Sequence, residues 1–208
     1  MITIDEILAC EKYLESVDAV IFDLDDTLYS EKDYVRSGYG AVAACFPQVA
    51  DMEKKLWAAF EEKRPAIDAV LEAEGIASSD YKEKALQIYR NHIPVIGLYP
   101  GVRQMLERLK KHKKLGLSTD GRPEGQRAKI QALGIEEYFD AIIITDELGG
   151  PSCRKPNEAA FRLMQQTLDI PFGKLVYIGD NMKKDFIAPQ RLGMKMIHFW
   201  NEDGLYIG

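Results

Sequence analysis

Ala19-Val20-Ile21-Phe22-Asp23-Leu24-Asp25-Asp26-Thr27-Leu28 is the stretch on which the fold turns. Four apolar residues in a row are followed by three carboxylates within four positions. An apolar run that does not alternate with polar residues fits a strand covered on both faces, the condition of a parallel sheet. Carboxylates gathered at the end of such a strand repel one another unless a cation or a proton sits among them. In an open parallel sheet, the carboxyl ends of the strands are also where ligands bind. Alone, an Asp-x-Asp run is more often a solvated loop with a Thr cap.

Four further apolar runs read as buried strands: Leu115–Leu117, Ala141–Ile144, Leu175–Ile178 and Met196–Phe199. Helix patterns lie between them. Val102, Met105, Leu106 and Leu109 recur at i, i+3, i+4 and i+7 behind Pro100-Gly101. Pro123 opens a helix that Gly134 stops. Pro156 and Asn157 precede Ala160, Phe161, Met164 and Leu168, and Pro189 should kink or end the segment after Asp180. Strands alternating with helices predict a doubly wound, Rossmann-like α/β sheet.

The interval from Tyr29 to Gly97 breaks that rhythm. It offers helical faces (Val35, Val42 and Phe46; Met52, Leu56, Ala59 and Phe60; Ile67, Val70 and Leu71; Leu86, Tyr89 and Ile93) and no clear strand. It is too long for an ordinary crossover. The expected division is a core of residues 1–29 and 98–208 with a small helical domain of residues 30–97 inserted after the first strand.

The chain has 208 residues, and 27 basic against 33 acidic side chains give a net charge of −6. The acidic balance argues against a nucleic-acid partner, which a basic face would mark. No apolar run approaches the ~20 residues of a membrane span. Asp5, Glu6, Glu11 and Glu15 stand where a secretory leader would be basic and then apolar. Cys10, Cys45 and Cys153 make no CxxC pair, so free thiols in a reducing, cytoplasmic setting are expected. His92, His112 and His198 have no metal-ligand spacing.

Three further signals stand beside the first. Leu175-Val176-Tyr177-Ile178-Gly179-Asp180 is a buried strand ending in an acid, with Asp185 five residues on. Two strands delivering Asp to one sheet edge make an all-oxygen pocket of the kind Mg2+ prefers. Leu115-Gly116-Leu117-Ser118-Thr119-Asp120-Gly121 ends in hydroxyls and a glycine, where backbone N–H groups can meet an anion. Arg154-Lys155-Pro156 sets a basic pair before a helix. The last two are weak alone: a tight Gly turn and a solvated surface lysine explain them more readily.

Taken in chain order, the four signals resemble the motifs of the haloacid dehalogenase-like hydrolase superfamily, in the branch with a helical cap after the first strand. The resemblance runs from residue 17 to 199. It implies that Asp23 is a nucleophile forming an aspartyl-phosphate and that Asp25 is the general acid and base. It implies Mg2+ as cofactor, held by the Asp23 side chain, the Asp25 backbone carbonyl and Asp180, with Asp185 acting directly or through water. Thr119, Asp120 and Lys155 would bind the phosphate, with Ser118 as substitute for Thr119. Asp120 stands where many relatives have Asn, which adds a carboxylate near an anion; Arg122 is a candidate to offset it. A halide leaves without a proton, and dehalogenating relatives lack an acid at the Asp25 position. The resemblance therefore points to a phosphatase acting on a small soluble phosphate ester, with no nucleic-acid or membrane partner. A phosphomutase of the same superfamily keeps both Asp residues, and a weakly catalytic phospho-ligand-binding module is the other alternative. A receiver domain with a phosphorylated Asp would be shorter and would lack the insert. Tyr29, Tyr34, Arg36, Tyr39, Trp57 and Arg64 are candidates to face substrate. Oligomeric state is left open, and the segment Gly149–Arg154 has no account from sequence.

Overall fold

A computed structural model describes residues 1–205. The chain forms two compact units, residues 1–31 with 97–208 and residues 32–96.

Among the described residues, the first unit contains six strands: β1 (Ile2–Ile4), β2 (Ala19–Phe22), β3 (Lys114–Thr119), β4 (Ala141–Ile144), β5 (Leu175–Gly179) and β6 (Lys195–Phe199). They form one sheet in the order β1-β6-β5-β2-β3-β4, every pair parallel. From β2 the chain steps outward through β3 and β4, then returns to build β5 and β6 on the other side of β2. The order therefore reverses between β2 and β5, the switch point where open α/β sheets form their crevice. Every residue of β2 and of β5 is buried, which explains their unbroken apolar runs.

β1 is the strand that the sequence did not announce. It is three residues long, lies at the sheet edge and buries only Ile4, so no periodicity betrays it. The sheet's remaining strands lie where the apolar runs predict, within a residue or two at their ends.

Three helices of this unit are positioned by their patterns. Val102–Lys110 buries Val102, Met105, Leu106 and Leu109. Pro123–Leu133 starts on its proline and stops at Gly134, whose φ of 60° suits a residue without Cβ. Ala159–Leu168 lays Ala160, Phe161, Met164 and Leu168 against Ala19, Ile21, Leu175 and Tyr177 of the sheet. A fourth helix, Ile187–Arg191, is short and contains Pro189 at its third residue. The first four N–H groups of a helix have no intrahelical partner, so the proline is tolerated there.

The second unit is helical, with Glu31–Ala44 (α1, entering from the first unit), Met52–Glu61 (α2), Ala66–Ala73 (α3) and Ser79–Asn91 (α4). The helices just described in the first unit follow as α5 (Val102–Lys110), α6 (Pro123–Leu133), α7 (Ala159–Leu168) and α8 (Ile187–Arg191). Val42, Phe46, Leu56, Leu71 and Ala85 form the centre of the second unit's own core. α4 ends two residues before Ile93, which is 87% exposed and takes no part in that core. Among the described residues no helix is long and apolar enough to cross a membrane.

Candidate active site

β2 ends at Phe22, and Asp23 continues its ladder by donating its backbone N–H to Ile178 O at 2.8 Å. This sets Asp23 beside the end of β5, where Gly179 is followed by Asp180. Asp23, Asp180 and Asp185 bring carboxylate oxygens within 4.8 Å of one another. Into this group reaches Lys155. Its Nζ lies 2.7 Å from Asp23 Oδ1, 2.8 Å from Asp185 Oδ1 and 2.8 Å from the Tyr177 hydroxyl. Three carboxylates thus face one buried ammonium.

The imbalance marks the acids. Burial pushes Asp23 up to about 7, against the pull of the Lys155 charge and with a further push from Asp185. Burial first, then the charges of Asp23 and Asp185, push Asp180 up to about 8. Lys155 is held above the ordinary lysine range: burial disfavours its charge, but Asp185 and Asp23 outweigh that cost. Gly179 is required by close approach. A Cβ there would lie 2.6 Å from Asp185 Oδ2. That oxygen accepts the Asn181 N–H at 2.9 Å, which turns the chain after β5.

Asp25, two residues from Asp23, has different company. Lys129 Nζ donates to its Oδ1 at 2.7 Å and Gln126 Nε2 to its Oδ2 at 2.9 Å, both from α6. The buried Tyr29 hydroxyl also donates to Oδ1. Burial pushes Asp25 up, but the Lys129 charge and these hydrogen bonds outweigh it and hold the carboxyl below its ordinary value. Its side chain is not part of the three-acid group. The Gln126 amide also donates to Thr119 Oγ1 at the end of β3. A hydroxyl that accepts there keeps its own proton to donate. Ser118 Oγ is buried with no hydrogen-bond partner among the described residues.

Asp26, the third acid of the run, is a bracket. It is 1% exposed and has φ of +52°, a left-handed conformation that Asp tolerates better than most side chains. Its Oδ1 accepts the Glu31 N–H at 2.8 Å and its Oδ2 the Leu205 N–H at 2.7 Å. Asn201 Nδ2 donates to its carbonyl oxygen at 2.9 Å.

Asp120 organises the opposite wall. Its carboxylate accepts from Thr145 Oγ1 at 2.9 Å, the Lys155 backbone N–H at 3.1 Å and Lys184 Nζ at 3.2 Å. The charges that offset it are therefore Lys155 and the directly paired Lys184, while Arg122 is exposed at the N-terminus of α6. A carboxylate only accepts, so Asp120 offers no side-chain donor to a phosphate. The segment before Lys155 now has an account. Two tight turns, Thr145–Leu148 and Pro151–Cys153, are closed by Arg154 donating twice to Asp146, each at 2.7 Å. That closure feeds Lys155 inward.

Asp23, Asp25, Asp120, Lys155, Asp180 and Lys184 line one cavity of about 300 Å3. Thr119 is buried beside it through Gln126. Gln126, Lys129, Tyr177 and Lys184 were not expected here. Gln126 and Lys129 stand three apart on α6, a spacing that reads as an ordinary solvated helix face. The candidates from the insert fare differently. Tyr29 is buried and bonded to Asp25. Tyr39 is buried within the helical unit's core and Tyr34 packs near Tyr89. Arg36 lies 4.1 Å over the Trp57 ring, and Arg64 pairs with Glu62.

The group of Asp23, Asp180 and Asp185 fits a hard divalent cation. All its donors are oxygens, and in their deprotonated forms they carry two more negative charges than Lys155 offsets, which one such ion balances.

A family model described as haloacid dehalogenase-like hydrolase matches residues 20–199. Glyceraldehyde 3-phosphate phosphatase from Methanocaldococcus jannaschii is 27% identical over 196 residues, covering 86% of this chain and 82% of that protein. Human N-acylneuraminate-9-phosphatase is 31% identical over 104 residues, half of this chain and 41% of the relative. A crystal structure of a subfamily IA hydrolase of the same superfamily from Geobacter sulfurreducens superposes with a TM-score of 0.67 at 18% identity, covering 90% of this chain and 89% of that one.

Proposed function

This chain belongs to the haloacid dehalogenase-like hydrolases, and within that family we propose that it is a phosphatase of a small phosphorylated sugar, working through an aspartyl-phosphate on Asp23. What carries the reading is the pair Asp23 and Asp25, which open on one cavity from opposite electrostatic settings. One carboxylate sits among acids and a buried ammonium. The other sits among donors. Two carboxyl groups with different surroundings suit two different tasks.

In the first half-reaction an Asp23 oxygen attacks phosphorus and the ester P–O bond breaks. The leaving alkoxide takes a proton from Asp25. Asp25 rests ionised beside Lys129, so the proton it donates enters with substrate, from solvent or from the monoanionic ester, as the phosphate charge raises Asp25 toward protonation. In the second half, Asp25 takes a proton from the water that attacks phosphorus, and Asp23 is released. Lys155, fixed in its charged form, and the Thr119 hydroxyl would hold the phosphoryl oxygens as charge shifts. The Asp120 carboxylate keeps Lys155 and Lys184 in place, and any contact it makes to phosphate would run through its backbone N–H. Asp23, the Asp25 carbonyl, Asp180 and Asp185 would hold Mg2+. When bound, the ion removes the repulsion between the Asp23 carboxylate and the phosphate dianion.

The relatives named above support a small phosphorylated sugar or sugar acid as substrate. The helical insert would serve as a substrate-selecting cap. The testing experiment is phosphate release from a panel of triose, pentose, hexose and sialic-acid phosphates with Mg2+ and with EDTA. Metal-dependent release that favours one class supports the reading. Uniform absence of release sinks it.

A further inference from the structure

α6 aims two side chains at one carboxylate. Gln126 and Lys129, three residues apart, share a helix face. Lys129 Nζ lies 2.7 Å from Asp25 Oδ1, and Gln126 Nε2 lies 2.9 Å from Asp25 Oδ2. Tyr29 adds its hydroxyl to Oδ1. All three donors are buried, while Glu124 and Arg127 on the same helix are exposed. A lysine is rarely buried without a specific partner, because the ammonium loses its hydration. Here a lysine, an amide and a phenol converge on a single carboxyl group.

We propose that Lys129, Gln126 and Tyr29 are positioning residues that fix the Asp25 side chain for proton transfer. The inference rests on the phosphatase reading above. Asp25 lies on the loop just after β2, close to the acid group built around Asp23. Left without donors, its carboxylate is free to turn toward a cation held there. The α6 donors hold it away, so the neighbouring Asp residues keep separate tasks. Two donors meet Oδ1 and one meets Oδ2. A carboxylate oxygen has two lone pairs, so Oδ2 is the better placed to carry the transferable proton. Gln126 also ties Asp25 to Thr119, which fixes the spacing between the acid and a phosphate-binding hydroxyl. General acid catalysis needs the donor within about 2.6–3.2 Å of its target, so a side chain that wanders loses it.

The leaving group supplies the test. A p-nitrophenolate departs without a proton, whereas an alkoxide requires one. The readout is the ratio of kcat/KM for the fastest alkyl phosphate of the panel to kcat/KM for p-nitrophenyl phosphate. Lys129→Met should lower that ratio by about 30-fold, part of the ~10²–10⁴ that an acid contributes, because lost alignment outweighs the easier protonation of Asp25 once the Lys129 charge is gone. Gln126→Leu should lower it in the same sense and carries the test if Lys129→Met does not fold. In an Asp25→Asn background, Lys129→Met should leave the ratio where Asp25→Asn alone puts it, because the two act as one unit. An unchanged ratio in the single variants overturns the proposal, as does an equal further fall in the double variant. Wild type that turns over neither substrate overturns the phosphatase reading itself, which keeps the two failures distinct.

Discussion

Lys155 Nζ sits 2.7 Å from Asp23 Oδ1, although 132 residues separate them in sequence. The contact closes the switch point of the sheet with charge. Lys155 is fully buried and meets Asp185 at 2.8 Å on the same side. Removing its ammonium takes away the nearest counter-charge of these carboxylates.

Lys155→Met should therefore lower the stability of the metal-free protein by about 3 kcal/mol at neutral pH, the usual cost of breaking a buried ion pair from one side. Urea unfolding in EDTA measures this. A midpoint equal to wild type would mean that the acids do not depend on Lys155. Since Lys155 is also proposed to hold phosphoryl oxygens, turnover should fall as well.

Magnesium affinity should rise with pH. Asp23 and Asp180 are raised from their ordinary value of 3.8 to about 7 and about 8, by burial first and by neighbouring carboxylates after it. A raised carboxyl binds its proton more tightly in the fold than in the unfolded chain. Its stabilising contribution is complete below about pH 4 and is lost as pH rises through 7 to 8. A metal ion needs the deprotonated forms, so it offsets that loss. The increase in Tm on adding Mg2+ should be larger near pH 8.5 than near pH 6. Equal increases at the two pH values would contradict the account.

Asp26→Ala should cost about 2–4 kcal/mol in urea unfolding. It removes the acceptor of two backbone N–H groups, Glu31 and Leu205, and leaves a Cβ residue at a left-handed position. Asp26→Gly relieves the backbone strain and should lose less. A loss below about 0.5 kcal/mol for Asp26→Ala would remove the bracket role.

Much of the core was legible because its signals are local. β2, β5 and their terminal acids are short stretches whose composition changes abruptly, and burial on both faces forces that composition. β1 was not legible, since three residues at a sheet edge carry no period. The donors around Asp25 were hidden for another reason. Gln126 and Lys129 are polar residues on a helix, and sequence alone cannot tell a buried polar face from a solvated one. Tyr177 was hidden inside an apolar strand, where its ring packs against Phe161 at 5.0 Å while its hydroxyl meets Lys155. The run of three acids was read as one signal, yet Asp23, Asp25 and Asp26 each have separate partners. The turn that carries Lys155 inward depends on Asp146 meeting Arg154, a pairing that spacing does not announce.

In the proposed reaction Asp23 attacks the phosphate. The measurement that addresses it most directly is phosphate release by wild type and by Asp23→Asn, each with Mg2+ and with EDTA, on the best substrate of the panel. Wild type should release phosphate with Mg2+ and little in EDTA, and Asp23→Asn should release it more than ~10³-fold more slowly while its Tm shows a folded protein. Substantial release by a folded Asp23→Asn would contradict it and move the nucleophile elsewhere.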